Sequence, residues 1–569
     1  MSKAGLIKKV AVIGGGPAGL VAVQDSLKQK EYGWEVIGFE AKDKLGGVWS
    51  DEPGSRLDSP DVFSCLRKLP EDVPEGVSAE AIFNYGSPLV KDGQVRDIKA
   101  LLGTSCESPL KLAKSSTVRD GIIFSNKTGV YDGFFSNVPG ELMVLESEKS
   151  EAGKSKSPEI APLVNLDQIH QNVNEFVKKY DLERSFRTST SVEYLDKLSP
   201  DKWFVIAKRS LPGSAHDEWY LETFDAVIIA NGHFSVPYVP FYMSKPSEED
   251  SGIHRFNRKF PEIMTHVRDL DIWYHRTLPH IISGKSAGKR KVVIVGKSFS
   301  CMDVLKRLVP LKEKLDDLEI IVSTHAPPMP ENIANPFYWF DQWLSKTTKV
   351  TLKGPIKSFL SDSKPAISFT DNTQIEEVSA IIFATGYLYS FPFMSEKLSE
   401  SYRIFVTEDS RNYDHSPSHI SRVTGLYLHT LSIADPTLGF VGISSNANFQ
   451  SFSISSELLM GVWTSFNKLF IKDSPKDGPI YNSIWSQVLP SVKDQLEWTQ
   501  NRFKKTGNLA SYHFYYPLPS LKDEWLNFCK PLFTEEDKKQ ELFPPDAPKL
   551  SQEGIDVLHR KFLAAMSPE

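Results

Sequence analysis

The chain lacks several features that would place it in a narrow class at once. Four cysteines, Cys65, Cys106, Cys301 and Cys529, are scattered over 569 residues with no C-x-x-C pair. That spacing excludes a disulfide framework, a zinc ribbon and a dithiol redox centre. No apolar run approaches the roughly 18 residues needed to cross a bilayer. The opening segment MSKAGLIKK leads into only Val10 to Ile13 before a glycine cluster, so neither a signal peptide nor a membrane anchor is expected. Charge of one sign is also lacking: 66 basic against 72 acidic residues give a net −6, no footprint for nucleic acid. Internal repeats at about 20 to 50 residues are absent, which excludes a solenoid or propeller. A soluble, cytoplasmic protein is expected. What remains is ordinary globular usage, 40% hydrophobic and 24% charged, in a length that suits roughly three to four units of about 150 residues.

The informative text begins immediately. KKVAVIG is apolar on both faces, as a parallel strand is, and it runs through glycines into the helical pattern LVAVQDSLKQK and a second strand, EVIGFE. Strand, glycine turn, helix and strand fit one right-handed βαβ unit. A second start of this kind is KRKVVIVGKSFSCMDVLKRLVPL, followed by LEIIVST. Residues of about 51–125 are rich in turn signals and read as an irregular insertion, and the Ser- and Lys-rich segment 147–159 reads as a flexible surface loop. Helical spacing resumes at LDQIHQNVNEFVKKYDL, and WFVIAK, FDAVIIANG and VSAIIFATGY read as strands.

Gly14, Gly16 and Gly19 form G-x-G-x-x-G between the first strand and the helix. The first glycine permits the tight turn, the second lets a pyrophosphate approach the backbone, and the third lets the helix pack closely on the strand. Phosphate then sits at the helix N-terminus, where free N–H groups and the dipole favour an anion. Glu40 ends the second strand; its carboxylate can accept ribose hydroxyls and repels a 2′-phosphate, so this site should hold FAD or NAD and not NADP.

The chain continues EAKDKLGGVWS. An acid followed by L-G-G-x-W resembles the flavin-containing monooxygenases and their Baeyer–Villiger relatives, and the resemblance implies that Gly47, Val48 and Trp49 lie along the flavin, beside Pro17 and Ala18 of the first turn. Gly296, Ser298, Ser300 and Cys301 stand where the family has its second pattern, G-x-G-x-S-G, with serine and cysteine in place of two glycines and Asp303 following. A strand later the family often carries an arginine for the 2′-phosphate of NADPH; here the positions are Thr324 and His325, so preference for NADPH over NADH rests on the resemblance. Ala230 and Gly232 resemble the A-x-G turn leaving the flavin domain, and Thr385 and Gly386 belong to the returning F-A-T-G-Y. FPEIMTHVRDL matches the identifying F-x-G-x-x-x-H-x-x-x-F/Y at Phe260 and His266, while Glu262 and Leu270 depart from it. YDGFFSNVPGELM resembles Y-x-x-L-x-T-N-x-P-x-x-x-M, which places Ser136 beside the cofactor and makes Asn137 the active-site amide.

The resemblance implies an α/β fold with two dinucleotide-binding Rossmann-type domains, the NADP domain inserted into a discontinuous FAD domain. The expected division is 1–235 and 381–470 for FAD, 236–380 for NADP, and a C-terminal extension at 471–569 of unassigned role. It implies FAD and NADPH as cofactors, no metal, a small-molecule substrate together with O2, and a flavin hydroperoxide that oxygenates a soft nucleophile, an amine nitrogen or a sulfide or thiol. Baeyer–Villiger oxygenation, N-hydroxylation and a non-catalytic FAD-binding protein stand as alternatives, and a homo-oligomer stays open.

Overall fold

In the computed structural model the described residues are 6–29, 33–50, 60–68, 89–91, 94–95, 97–114, 129–145, 153–234, 236–240, 251–283, 290–325, 327–329, 331, 336–395, 397–398, 404–405, 422–443, 448–473, 481–506, 510–513 and 547–567. Much of the expected insertion at 51–125, residues 147–152 of the expected loop, and Cys529 lie outside them.

The first unit opens with β1 (Lys9–Ile13), α1 (Pro17–Leu27) and β2 (Glu35–Phe39), then β3 (Ala226–Ile229). The second unit carries β4 (Met264–His266), β5 (Arg290–Val295), α2 (Phe299–Lys312), β6 (Leu318–Ser323), β7 (Thr351–Lys353) and β8 (Val378–Phe383). The chain then returns to the first unit with β9 (Leu438–Phe440) and the long α3 (Asn448–Asp473), and α4 (Ala547–Met566) comes last.

Phe186–Arg187, β2, β1, β3 and β9 lie side by side and parallel, which in chain order is 3-2-1-4-5; Leu431–Ser432 and Leu426–Tyr427 extend the edge antiparallel. The second sheet runs β7, β6, β5, β8, β4, parallel throughout. Both are doubly wound sheets, and β9 enters the first sheet only after the second has been completed. That is the inserted arrangement the motifs imply. Each central strand is apolar on both faces because both faces are covered. In the first sheet, Val10 and Val12 face α1 and α3 while Ala11 and Ile13 face a second layer containing Trp203 and Tyr220.

That second layer is an antiparallel sheet of Leu110–Ala113, His216–Phe224, Lys202–Arg209 and Thr190–Ser199. WFVIAK therefore belongs to this sheet and not to the parallel one; hydropathy alone does not tell a buried antiparallel strand from a parallel one. The insertion also contributes Val62–Leu66, whose Phe63 packs on Phe383 at 5.3 Å between ring centroids. Residues 153–159 of the expected loop include hydrogen-bonded backbone: Lys156 N–H donates to Gln168 at 3.1 Å, and Gln168 donates to the Lys154 carbonyl at 2.7 Å. The residues beyond 470 include Tyr481–Val488, Val492–Thr506 and α4. The last packs Phe562 against Trp339, Phe340 and Trp343 of the second unit. Among the described residues no helix is long and apolar enough to cross a membrane.

Candidate functional site

The two glycine turns occupy equivalent places. Gly14 has φ +110° and its N–H donates to Phe39 O at 2.8 Å; Gly296 has φ +102° and donates to Ser323 O at 2.9 Å. A Cβ at Gly14 would stand 2.4 Å from Ala230 O, and one at Gly296 would stand 2.5 Å from Ala384 O. Ala230 N–H in turn bonds Ile13 O, and Ala384 N–H bonds Val295 O. Each turn is thus pressed between its own strand and the strand on the other side of the switch point, at the carboxyl ends where open α/β sheets bind ligands.

In the first turn the expected geometry is present. A Cβ on Gly19 would fall 1.8 Å from Gly14 O, so this glycine brings α1 onto the turn. Gly16 is the N-cap of α1, offers no capping side chain, and is followed by Pro17; no acid stands in the first helical turn. Those N-terminal N–H groups are left for an anion. Gly47 lies back to back with Gly16: a Cβ on Gly47 would come within 2.9 Å of Gly16 Cα, and Gly46 N–H donates to Gly15 O at 2.8 Å. The L-G-G segment therefore needs its glycines to approach the turn, a contact invisible in the spacing of G-x-G-x-x-G.

Glu40 is 7% exposed, and its carboxylate accepts from Gly15 N–H at 2.6 Å and Lys42 N–H at 2.8 Å. Burial pushes its pKa up, while the Lys42 N–H, the Lys42 charge and the Gly15 N–H pull it back. The carboxylate ties the glycine turn to β2, a role the sequence reading did not assign.

A cleft opens here between Gly14, Gly16, Pro17, Ala18, Glu40, Gly47, Val48 and Trp49 on one side and Asn231 to Phe234, Arg268, Leu388 and Ser390 on the other. Trp49 packs edge-on to Phe449 at 6.0 Å and also touches Phe134, at 5.9 Å. Gly19, as its packing role requires, lies behind the turn and not in the cleft wall.

The segment of Ser136 and Asn137 behaves differently. Ser136 is buried and engages backbone: Val164 N–H donates to its Oγ at 3.0 Å, which donates to Val138 O at 2.6 Å. Asn137 is exposed and is not part of the cleft wall. Its role as active-site amide rests on the resemblance alone.

At the second turn Ser298 is exposed and caps α2 without a side-chain bond, Ser300 is half-buried, and Cys301 is fully buried, its thiol pKa raised by burial. Cys301 stands where Gly19 stands in the first unit, and it fills core instead of presenting a reactive group. Thr324 N–H donates to Lys353 O at 3.0 Å, and His325 is exposed at the end of β6. Lys297, the one cation in the turn, reaches over the loop after β6. Its Nζ donates to Asp341 at 2.9 and 3.0 Å and to Pro327 O at 3.4 Å.

The two units are joined by crossing segments that pair with each other, Val236–Pro237 against Tyr387–Leu388. Thr385 Oγ1 donates to Tyr238 O, Tyr238 N–H donates to Gly386 O at 2.9 Å, and His266 Nε2 lies 3.0 Å from the same carbonyl. His266 is fully buried and its pKa is pushed down to about 3 by that burial, so it is neutral in the fold. The fingerprint histidine thus pins the returning crossing, and Thr385 and Gly386 hold the junction. His233, Arg268, Ser390 and Gly442 also line the cleft and were not assigned from the sequence, although His233 directly follows the A-x-G turn at Gly232 and Arg268 lies two residues past His266.

A family model described as flavin-binding monooxygenase-like matches residues 344–409. The chain is 23% identical over 536 residues to the flavin-containing monooxygenase iboF of Amanita muscaria, covering 89% of this chain and 84% of that one. It is 26% identical over 326 residues to the thiol-specific monooxygenase of Saccharomyces cerevisiae, covering 55% and 60%. Among solved structures, the S-allyl-L-cysteine S-oxygenase of Allium sativum superposes with a TM-score of 0.54 at 17% identity over 98% of both chains. Along most of its length the chain is thus similar in sequence to flavin-containing monooxygenases, and it shares its two-unit fold with the S-oxygenase structure.

Proposed function

We propose that the chain is an FAD- and NADPH-dependent monooxygenase that transfers one oxygen atom to a soft nucleophile, a sulfide or thiol sulfur or an amine nitrogen. The observation that carries this reading is the pair of equivalent glycine turns at Gly14 and Gly296, one in each of two units joined by paired crossings. The division into FAD-binding segments 1–235 and 381–470, an NADP-binding segment 236–380 and an extension 471–569 follows from it.

The first site fits FAD because its turn leaves backbone, not side chain, toward the cleft: Gly14, Gly16 and Gly47 form a cradle that a Cβ would close. Pro17 and Ala18 would present the helix N-terminus to its phosphates, with Gly19 packed behind the turn, Glu40 would serve the ribose, and Val48 and Trp49 would line the ring. Gly296, Ser298 and Ser300 would hold the pyrophosphate of NADPH, with Cys301 packed behind them, and Thr324 and His325 would serve its adenosine ribose. When bound, FAD supplies the oxygen chemistry and NADPH the reducing equivalents. The protein's part is to hold the two turns at a fixed separation and keep water from the cleft, and the tie between His266 and Gly386 O supports that separation. Sulfur compounds are the first substrates to try, since two of the similar proteins are named for thiol and S-allyl-L-cysteine oxygenation.

The test is to purify the protein, record its flavin spectrum, and follow NADPH oxidation, oxygen uptake and sulfoxide formation with a panel of sulfides and tertiary amines. Bound FAD with substrate-dependent oxygenated product supports the reading. A folded protein that binds FAD but never oxidises NADPH overturns it in favour of a non-catalytic flavoprotein.

A further inference from the structure

Arg268 follows β4 within the short helical turn Val267–Asp269, is only 5% exposed, and lines the cleft. Its backbone N–H is accepted by His266 Nδ1 at 3.1 Å, but among the described residues its guanidinium has no carboxylate partner. The carboxylates nearest in sequence are engaged elsewhere: Asp269 accepts from Val62 N–H at 2.7 Å, and Asp271 accepts from Asp132 N–H at 3.1 Å. Glu40, on the far wall, is held by Gly15 and Lys42. The rings beside Arg268 are neutral; burial holds His266 uncharged and keeps the Tyr387 phenol protonated.

A buried cation without a counter-charge carries a large desolvation cost, and a ligand that supplies the missing anion offsets it. A second observation points the same way. Ser390 Oγ and His233 Nδ1, both atoms buried in the cleft wall, have no hydrogen-bond partner among the described residues. They lie on the two crossing segments, where Asn231 Nδ2 donates to Ser390 O at 2.8 Å and the His233 ring lies 4.6 Å from Tyr389. Beside them Phe234 is half exposed, its ring edge-on to Tyr387 at 5.7 Å. The cleft wall therefore carries a guanidinium, a hydroxyl and an imidazole that could receive a small polar group, together with aromatic rings suited to a short apolar or thioether chain.

Resting on the function proposed above, we infer that the oxygenated substrate is a small carboxylate, its anionic head bound by Arg268 with Ser390 in support and its soft atom lying along the aromatic wall. Guanidinium is suited to the task because it binds a carboxylate bidentately and stays charged at all physiological pH.

The flavin-loaded protein can be tested with 3-(methylthio)propanoate and its neutral amide, two thioethers of equal size, by measuring both binding by calorimetry and sulfoxide formation. The carboxylate should bind about a hundredfold more tightly. Arg268→Met should abolish that preference while leaving amide binding within threefold, and Arg268→Lys should restore part of it. Equal binding of acid and amide by the parent protein would overturn the inference. So would an Arg268→Met protein whose FAD content or NADP⁺ affinity falls by the factor lost for the carboxylate, since the guanidinium would then serve a cofactor phosphate. These results are separate from the functional reading, which stands or falls on flavin and NADPH oxidation and not on the choice between acid and amide.

Discussion

Two glycines three residues apart in the first turn should respond to the same substitution in opposite ways. At Gly19 a methyl group would sit 1.8 Å from Gly14 O and 2.9 Å from Gly14 C. Gly14 cannot yield, because its N–H is held by Phe39 O and its other side faces Ala230 O at 2.4 Å from a Cβ position. Gly19→Ala must therefore lift α1, whose residues are buried along nearly its whole length. Overpacking of this kind costs about 1–3 kcal/mol, and an overlap so deep belongs at the upper end. The flavin-free protein should melt several degrees lower, at about 2–4 °C per kcal/mol. At Gly16 the same methyl meets only Gly47 Cα at 3.6 Å, an ordinary contact, and the backbone φ of −75° suits any residue. Gly16→Ala should leave the flavin-free melting temperature unchanged or slightly higher. Its methyl instead occupies the cradle between the turn and the L-G-G segment, so FAD affinity should fall at least tenfold, about 1.4 kcal/mol. Thermal melts of the stripped proteins and FAD titrations of both variants separate the two effects. A Gly16→Ala protein that binds FAD like the parent would refute the cradle, and a Gly19→Ala protein that melts like the parent would refute the packing argument.

Releasing Lys297 from Asp341 with Asp341→Asn should raise affinity for 2′,5′-ADP about tenfold relative to 5′-AMP, by the usual worth of a freed cation at a phosphate; an unchanged ratio in calorimetric titrations would show that Lys297 does not face the 2′-phosphate. Burial raises the Glu40 pKa, so its stabilising contribution is fully present below the ordinary carboxylate range and is lost as pH rises through the raised value. The melting temperature of Glu40→Gln minus that of the parent, both free of flavin, should accordingly grow with pH, and a difference that shrinks would contradict the assignment. His429 is buried among Trp498, Tyr512 and His513 with its pKa pushed down to about 3, so stability is present above the ordinary histidine value and drains away as pH falls from there toward 3. His429→Phe should reduce the slope of stability against pH between about 6 and 4 by about 1 kcal/mol per pH unit in denaturant titrations, and an unaltered slope would place the acid-sensitive group elsewhere. Asn137 is exposed and off the cleft wall, so Asn137→Leu should keep the ratio of hydrogen peroxide to product within twofold; a tenfold rise would return the residue to the role the family resemblance gives it.

What the sequence determined by itself is local and backbone-driven. Gly14, Gly19 and Gly296 are legible because the chain must turn with positive φ or bring backbone against backbone there, and only glycine does so without strain. The parallel strands are legible because burial on both faces leaves an unbroken apolar run. The tertiary structure decided what depends on partners distant in the chain. Glu40 reads as a ribose acid from its spacing, yet the fold also makes it the tie that holds Gly15. His266 reads from its motif only as the fingerprint histidine, yet the fold buries it fully against the carbonyl of Gly386, 120 positions later. WFVIAK has the hydropathy of a parallel strand and joins an antiparallel layer, since strand direction is fixed by pairing and not by composition. Arg268 carried no signal of its own: an arginine beside a motif is ordinarily a solvated charge. Only the fold buries it in the cleft wall, where among the described residues no carboxylate answers it, and that juxtaposition is a property of the folded chain alone.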